Sequence, residues 1–210
     1  MYKENYMKTY TVAKRNYSEN VWDEITPIKL DVFRWRDNGY EPDVFVKLFH
    51  DGENMYFKYT AFEEEILGRY RNTQDPVCDD SCVEVFFYPD GDKNYINFET
   101  NVLGTLALGF GDQKEVRTLL EDDTEIFEIK PSVKNPDEYT GDKWTMEYKI
   151  PFEFVKKYFP SFTIEKGLRA NFFKCGEDVR YPHYGMWCEI ISEEEEFHLP
   201  QYFGYLDFEE

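Results

Sequence analysis

Basic residues and histidines are scarce in this chain. Against 43 aspartates and glutamates stand 24 lysines and arginines and three histidines, so the formal net charge at pH 7 is -19. Nucleic acids and anionic lipid surfaces are bound by lysine and arginine clusters that displace counterions. The composition therefore argues against nucleic acid or a membrane as a partner. The acidic run at residues 193–196 is interpreted as a solvated loop.

Long apolar runs and closely paired cysteines are also missing. No run approaches the roughly 20 apolar residues of a membrane-spanning helix, and the first eight residues lack the apolar centre of a secretory signal. The four cysteines, Cys78, Cys82, Cys175 and Cys188, do not have zinc-ribbon spacing, which predicts free and mostly buried thiols. We expect a cytoplasmic location for the chain as given, or an extracellular one if an export signal was removed.

Apolar residues are plentiful enough for one substantial core. Hydrophobic residues make up 41% of the 210 residues and aromatic residues 19%, which argues against disorder. No internal repeat, low-complexity linker or break in composition marks a second domain. We therefore predict a single domain over residues 1–210 with its core at about 20–208.

Short apolar or alternating runs, separated by Gly, Pro, Asn and Asp, recur along the chain. Such a succession is typical of an all-β, two-sheet antiparallel β-sandwich of jelly-roll or immunoglobulin-like type. Two short helices are also predicted, at 62–70 and at 152–158, the second preceded by Pro151. The predicted strands are 28–35, 44–50, 54–60, 82–88, 95–101, 103–110, 126–132, 144–150, 168–175, 186–191 and 203–208.

The most informative segment is the predicted hairpin at 82–101. With the two-residue period of a strand, it has one apolar face, formed by Val83, Val85, Phe87, Ile96, Phe98 and Val102. Carboxylates, amides and rings make the other face, which we expect to be exposed. Such groups suit a sugar, because planar polar groups bind hydroxyls and rings cover apolar C–H faces. This second face consists of Glu84, Phe86, Tyr88, Tyr95, Asn97, Glu99 and Asn101.

An ordered set of motifs along the chain resembles the family 9 carbohydrate-binding modules and their stand-alone relatives. The resemblance covers roughly residues 20–208, and the order of the motifs carries it, since each motif alone is a generic strand pattern. The motifs are Trp22, VKLFHDG at 46–52, DSCVEVFF at 80–87, YINFETNVLG at 95–104, WTMEYKIP at 144–151, LRANFFKC at 168–175 and FHLPQYFGYLDF at 197–208.

The resemblance implies a β-sandwich of the kind found beside xylanase catalytic domains. Such modules hold the reducing end of glucans and xylans between two tryptophan rings and carry structural calcium. By resemblance, Glu84 and Asn97 match polar binding positions, Asn171 matches a further amide, and Trp187 matches the second stacking ring. The first stacking tryptophan has no counterpart, because the stretch around Cys78 stands where it is expected. Trp22, Tyr88 or Tyr95 is then needed to stack on the second face of the sugar ring.

Together these observations predict non-catalytic binding of a mono- or oligosaccharide. This binding would be part of the catabolism of a polysaccharide such as xylan or cellulose. Glu and Asn side chains would bind hydroxyls, and aromatic rings would stack on the sugar. The predicted ligand-binding residues are Glu84, Tyr95, Asn97, Asn171, Lys174, His183 and Trp187.

Each of these residues also has a structural interpretation. Glu84 can pair with a basic side chain, the two asparagines can cap strand ends, and Trp187 can lie in the core. Two further functions stay open. One is a glycoside hydrolase that uses Glu84 and Glu99, which share a face of the hairpin. The other is a structural or interaction sandwich with a vestigial sugar site.

Metal and haem binding are left open by the sequence. Acidic pairs at 79–80, 90–92 and 51–53 are candidates for structural calcium, although none matches the regular twelve-residue acidic loop. Met55 and His183 are the conceivable axial ligands for haem, with no further pattern in support. The sequence does not indicate an oligomeric state.

Overall fold

Fourteen strands in one curled sheet form the framework of the computed structural model, which describes residues 7–63 and 65–210. A seven-residue helix, α1 (Phe152–Tyr158), follows β11. The strands are β1 (Thr9–Lys14), β2 (Ile28–Lys29), β3 (Val32–Phe33), β4 (Val44–His50), β5 (Asn54–Ala61), β6 (Cys82–Tyr88), β7 (Tyr95–Asn101), β8 (Leu106–Gly111), β9 (Thr118–Leu119), β10 (Lys130–Pro131), β11 (Trp144–Pro151), β12 (Leu168–Gly176), β13 (His183–Met186) and β14 (Gly204–Phe208).

Strand β1 joins two halves of this sheet. It pairs in parallel with β14 on one side and with β4 on the other. The first half continues as β14-β12-β6-β7-β8-β9, and the second as β4-β5-β11-β10. The halves fold onto each other, since Phe98 of β7 stacks on Tyr148 of β11 with 4.6 Å between ring centroids. The predicted β-sandwich is confirmed, with β1 as a strand that the sequence did not predict and as the exception to antiparallel pairing.

Several predicted elements match the structure closely. Strands β4, β6 and β7 have the predicted bounds, and so does α1. The turn between β4 and β5 contains Gly52 at φ +97°, a left-handed conformation that glycine adopts without steric cost. The apolar face of the β6–β7 hairpin is buried, which confirms it as core.

Other predicted elements were wrong. Among the described residues of 62–70 there is no helix, and the strand predicted at 186–191 lies earlier, at β13. The stretch at 126–132 forms a 3-10 turn at Thr124–Phe127 and only a two-residue strand, β10. None of the described residues forms a helix long and apolar enough to cross a membrane. All four cysteines are free, and three are buried, as predicted.

The expectation of an exposed polar face on the β6–β7 hairpin was also wrong. Glu84 is 2% exposed and Asn97 is 1% exposed. The segment 187–203 crosses this face and covers it with aromatic side chains. Phe197 stacks on Phe173 of β12 with ring centroids 4.1 Å apart, and His198 lies 4.7 Å from Phe86. Period-two alternation showed which side chains share a face, but not that a distant loop packs on it.

Candidate functional site

A small polar cavity remains between the covering segment and the β6–β7–β12 face. Its volume is about 60 Å³. It combines four carboxylates, two basic groups, two thiols and aromatic rings, and it is the region where the predicted polar face meets solvent. The lining residues are Cys78, Glu84, Glu99, Lys114, Arg117, Cys175, Glu177, Tyr184, Glu195, Phe197 and His198.

The strand register brings the two central carboxyl groups to this cavity. Glu84 of β6 stands directly opposite Glu99 of β7, and on its other side it stands opposite Phe173 of β12. Residues directly opposite in neighbouring strands project their side chains from the same face. Glu84 and Glu99 therefore lie side by side at the floor of the cavity.

Glu84 is only partly satisfied by hydrogen bonds. Its Oε1 accepts from the thiol of Cys175 at 3.0 Å and is 3.8 Å from Cys82 Sγ, while its Oε2 has no partner. Glu99 Oε1 accepts from Asn97 Nδ2 at 2.8 Å. Burial and then the neighbouring charge of Glu99 raise the pKa of Glu84 well above its usual range. Burial likewise raises the pKa of Glu99, opposed by the guanidinium of Arg117.

These shifts predict how stability depends on pH. Above the ordinary glutamate pKa of 4.5, folded Glu84 keeps a proton that the unfolded chain has released, so its contribution to stability falls as pH rises. We expect Glu84→Gln, which removes this titration, to become progressively more stable than the natural chain from about pH 4.5 upward. Urea unfolding from pH 4 to pH 8 measures the difference. The exposed Glu193→Gln is the control, and parallel curves for Glu84→Gln and the natural chain would contradict the assignment.

Tyr95 and Asn97 lie beside the cavity and support its walls. Tyr95 Oη is 2.6 Å from Nδ1 of His198, whose pKa burial lowers to about 2, so this imidazole stays neutral. Asn97 holds Glu99, while its Oδ1 and the Nε of Arg117 have no hydrogen-bond partner. A Cβ at Gly109 would lie 2.5 Å from that Asn97 oxygen, so any larger residue there would displace the Asn97 side chain. The structure thus places both predicted residues next to the cavity, though not in its lining.

Asn171 and Trp187 are not brought into the cavity. The Asn171 amide donates to the carbonyl of Cys188 at 2.9 Å and accepts from its N–H at 2.8 Å, which ties the covering segment to β12. Trp187 is 5% exposed and packs against Phe172, a residue of the core face of β12, with ring centroids 5.5 Å apart. The placement of Trp187 on an exposed stacking loop was therefore wrong, since its indole is part of the packing between the sheets.

Lys174 and His183 lie on the opposite face of β12 from Glu84, in a buried charge cluster. Lys174 Nζ is 3.1 Å from Oε1 of Glu63, and His183 Nε2 is 3.5 Å from the same oxygen. Trp144 Nε1 donates to the other oxygen at 2.7 Å. Burial and the nearby Lys174 lower the pKa of His183 to about 2. These contacts join the two halves of the sandwich. They leave Lys174 and His183 outside the cavity.

Several lining residues were not recognised in the sequence. Lys114 and Arg117 follow β8 in a polar loop, Tyr184 lies in β13, and Glu195 lies within the covering segment. Nothing in their local patterns distinguishes them from surface residues. Cys78 is the informative exception, because it lines the cavity at the stretch where the resemblance places the missing tryptophan.

In each candidate calcium pair one aspartate, Asp80, Asp92 or Asp51, already accepts hydrogen bonds from protein donors. Asp80 accepts from the Arg69 guanidinium at 3.1 Å and from Asn101 Nδ2 at 2.9 Å. Asp51 Oδ1 accepts from the N–H groups of Glu53 and Asn54. Carboxylate oxygens already engaged by a guanidinium or by turn N–H groups do not fit a calcium ligand set. Nor does the structure bring together Met55 and His183, the conceivable haem ligands, since Met55 lies at the start of β5 and His183 contacts Glu63 just beyond the end of that strand.

A second and larger cavity, of about 140 Å³, lies on the outer face of β5 and β11. Tyr17, Trp22 and Tyr56 line it, together with charged residues. Those charges are mostly paired with one another, as in Lys149–Glu128 at 2.6 Å. The smaller cavity offers unpaired buried polar atoms to a ligand, whereas this one offers ring surface.

Comparison with known proteins agrees with this architecture. A model of carbohydrate-binding family 9 matches residues 20–208. The chain belongs to carbohydrate-binding family 9. The crystal structure of a candidate carbohydrate-binding protein from Bacteroides uniformis is 28% identical, with a TM-score of 0.81, over 97% of this chain and 100% of that one. No significant match was found among curated proteins.

More distant family 9 structures share the fold. A family 9 module from Caldicellulosiruptor kristjanssonii in complex with glucose is 12% identical, with a TM-score of 0.64, and the alignment covers 96% of each chain. The same comparison with a family 9 module of that organism in complex with cellotriose gives 12% identity and a TM-score of 0.64, over 96% of this chain and 93% of that one. At this identity the likeness concerns the fold.

Proposed function

We propose that this family 9 chain binds a mono- or oligosaccharide of the glucan or xylan type non-covalently, at the cavity floored by Glu84 and Glu99. The observation that carries the proposal is the unpartnered Glu84 Oε2, which is buried and directed to no protein donor. A sugar hydroxyl both donates and accepts hydrogen bonds, so it can pair with this oxygen whether or not the carboxyl group carries a proton. Buried polar groups without a partner cost free energy, so a ligand that supplies a donor gains affinity.

The remaining lining provides complementary groups. Lys114 and Arg117 donate hydrogen bonds, and Tyr184 and Phe197 present ring surface to apolar C–H faces. The family 9 module solved with glucose and the one solved with cellotriose support a glucose-configured ligand. A chain end, rather than the middle of a chain, is the part that would enter so small a cavity.

The size of the cavity limits the affinity. At about 60 Å³ it is much smaller than the roughly 300–1,000 Å³ of ordinary ligand pockets. A whole pyranose ring enters only if the part of the covering segment that lines the cavity, at 195–198, moves outward. The apparent affinity is the affinity of the open state multiplied by the fraction of molecules in that state, so we expect weak binding.

Sugar binding is tested by titration calorimetry and thermal shift with glucose, xylose, galactose, cellobiose and xylobiose. We expect a rise in melting temperature with at least one gluco- or xylo-configured sugar, and a loss of at least about tenfold in affinity in Glu84→Gln and Tyr184→Ala. Tyr17→Ala, at the larger aromatic cavity, is the matched control. If sugar affinity is lost in Tyr17→Ala alone, the sugar site is the larger cavity. No response to any sugar would favour a vestigial site.

Hydrolysis is the alternative that the same site raises. Glu84 and Glu99 are adjacent carboxyl groups with raised pKa values, and one proton-carrying and one ionised carboxyl group is the pattern of a glycosidase. Incubation with cellobiose and xylobiose, followed by chromatography, separates the two functions. Binding without product release supports the binding protein; release that disappears in Glu99→Gln supports the enzyme.

A further inference from the structure

Three potential metal ligands meet beside the cavity, and two of them, Glu84 and Cys175, line it. Cys82 of β6 and Cys175 of β12 stand directly opposite each other in the strand register, and Glu84 follows Cys82 by two residues on the same face. All three side chains are buried, and their ligand atoms lie within 4.8 Å of one another. The β6–β12 pairing therefore holds two thiols and a carboxylate around one point.

The distances suit a tetrahedral metal centre. Glu84 Oε1 is 3.0 Å from Cys175 Sγ and 3.8 Å from Cys82 Sγ. Zinc bonds of about 2.3 Å to sulfur and about 2.0 Å to oxygen place neighbouring ligand atoms roughly 3.3–3.8 Å apart in a tetrahedron. The two oxygen-to-sulfur distances lie within about 0.5 Å of the roughly 3.5 Å that this geometry gives.

The second observation is the unsatisfied oxygen of Glu84. Its Oε2 is buried without a hydrogen-bond partner, and such groups in folded proteins call for a missing water or ion. The cavity beside it, at about 60 Å³, has room for a solvent molecule as a further ligand. One carboxylate and two thiols supply three protein ligands, and the solvent space beside them supplies an open fourth position, as in a catalytic-type zinc site.

We propose that Cys82, Glu84 and Cys175 bind a thiophilic divalent cation, with Zn²⁺ as the expected ion and solvent in the fourth position. Thiolate ligands select zinc and softer ions over calcium and magnesium. On binding, each thiol releases its proton to solvent and forms a metal–sulfur bond, and Glu84 releases the proton that it holds in the metal-free chain, so three protons leave for each ion bound. The positive charges of Lys114 and Arg117 in the same cavity offset the excess negative charge.

An access route lies next to the three ligands. Cys78, Asp79 and Glu177 form a second group whose ligand atoms are within 4.8 Å of one another. Cys78 and Glu177 line the same cavity as Glu84 and Cys175. An ion can therefore reach the buried ligands through a mouth that itself carries ligand atoms. Metal binding at this point requires no sugar, although both ligands would use Glu84.

Cobalt(II) is the probe, because thiolate coordination gives it an intense near-ultraviolet charge-transfer absorption that oxygen ligands do not. We expect the full-length reduced chain, titrated without oxygen, to bind one cobalt ion with this absorption, and zinc to displace it. Cys82→Ser and Cys175→Ser should each weaken binding by about tenfold or more. Cys188→Ser, a buried cysteine outside the cluster, is the matched control and should bind normally.

The natural chain alone can overturn the proposal. If saturating cobalt produces no sulfur-to-metal absorption, no thiolate site exists at this position. Absorption that persists unchanged in both Cys82→Ser and Cys175→Ser, or that is lost in Cys188→Ser, would also overturn it. Melting curves recorded without metal show whether each variant is folded. If a serine variant does not fold, Glu84→Gln replaces it in the test, because glutamine keeps the shape of the glutamate side chain.

Discussion

Replacing Glu63 with alanine is expected to lower the free energy of unfolding by about 3–5 kcal/mol. The substitution leaves the Lys174 ammonium, which is fully buried, without its counter-charge 3.1 Å away. It also removes the acceptor of the Trp144 indole N–H. An isolated buried charge is far more costly than a buried pair, because its desolvation is no longer offset. Urea unfolding at pH 7 measures the loss.

Two variants make this test specific. Glu65→Ala removes a partner of the exposed Glu65–Arg180 pair and should cost no more than about 1 kcal/mol. The double variant Glu63→Met with Lys174→Met replaces the pair by apolar side chains of similar length and should recover most of the stability. If Glu63→Ala costs no more than Glu65→Ala, the buried ion pair is not formed in solution.

Phe98→Ala is expected to cost a similar amount, about 3–5 kcal/mol, for a different reason. Phe98 is fully buried in β7, stacks on Tyr148 at 4.6 Å and meets Phe127 edge-on at 5.0 Å. Its removal leaves a cavity between the two halves of the sandwich, and close-packed neighbours fill such a cavity only partly. Equilibrium unfolding in urea at neutral pH measures the change.

Phe62→Ala is the matched control for this variant. Phe62 is 39% exposed and contacts Phe45 edge-on at 6.3 Å, so its removal should change the free energy of unfolding by about 0.5 kcal/mol or less. Equal losses in the two variants would mean that Phe98 does not occupy the interface between the sheets.

Phe98 and Glu63 illustrate two degrees of predictability. Phe98 was predicted as core from the alternation of β7 alone, since the two-residue period of a strand is a local property. Glu63 lies in a stretch predicted to be helical, and nothing local indicates that its carboxylate is buried. Its partners, Lys174 and Trp144, lie more than 80 residues away along the chain. Only the pairing of distant strands brings them to Glu63.

The candidate site shows the same division. Period-two alternation in the hairpin correctly put Glu84, Asn97 and Glu99 on one face, and the order of motifs correctly indicated the family. That face was expected to be open. Phe197, which is far along the chain, packs across it and leaves only the small cavity.

Sequence pattern thus determined the strands of the hairpin, its apolar face and the family. The first two depend on side chains that neighbour one another along the chain, and the family depends on the order of motifs over residues 20–208. Tertiary structure alone decided that Trp187 packs inward against Phe172, that Lys174 faces Glu63, and that two thiols flank Glu84. These outcomes depend on strand order and register, which join residues that are far apart in the chain. Alternation tells which side chains share a face, whereas the assembled sandwich decides what covers that face.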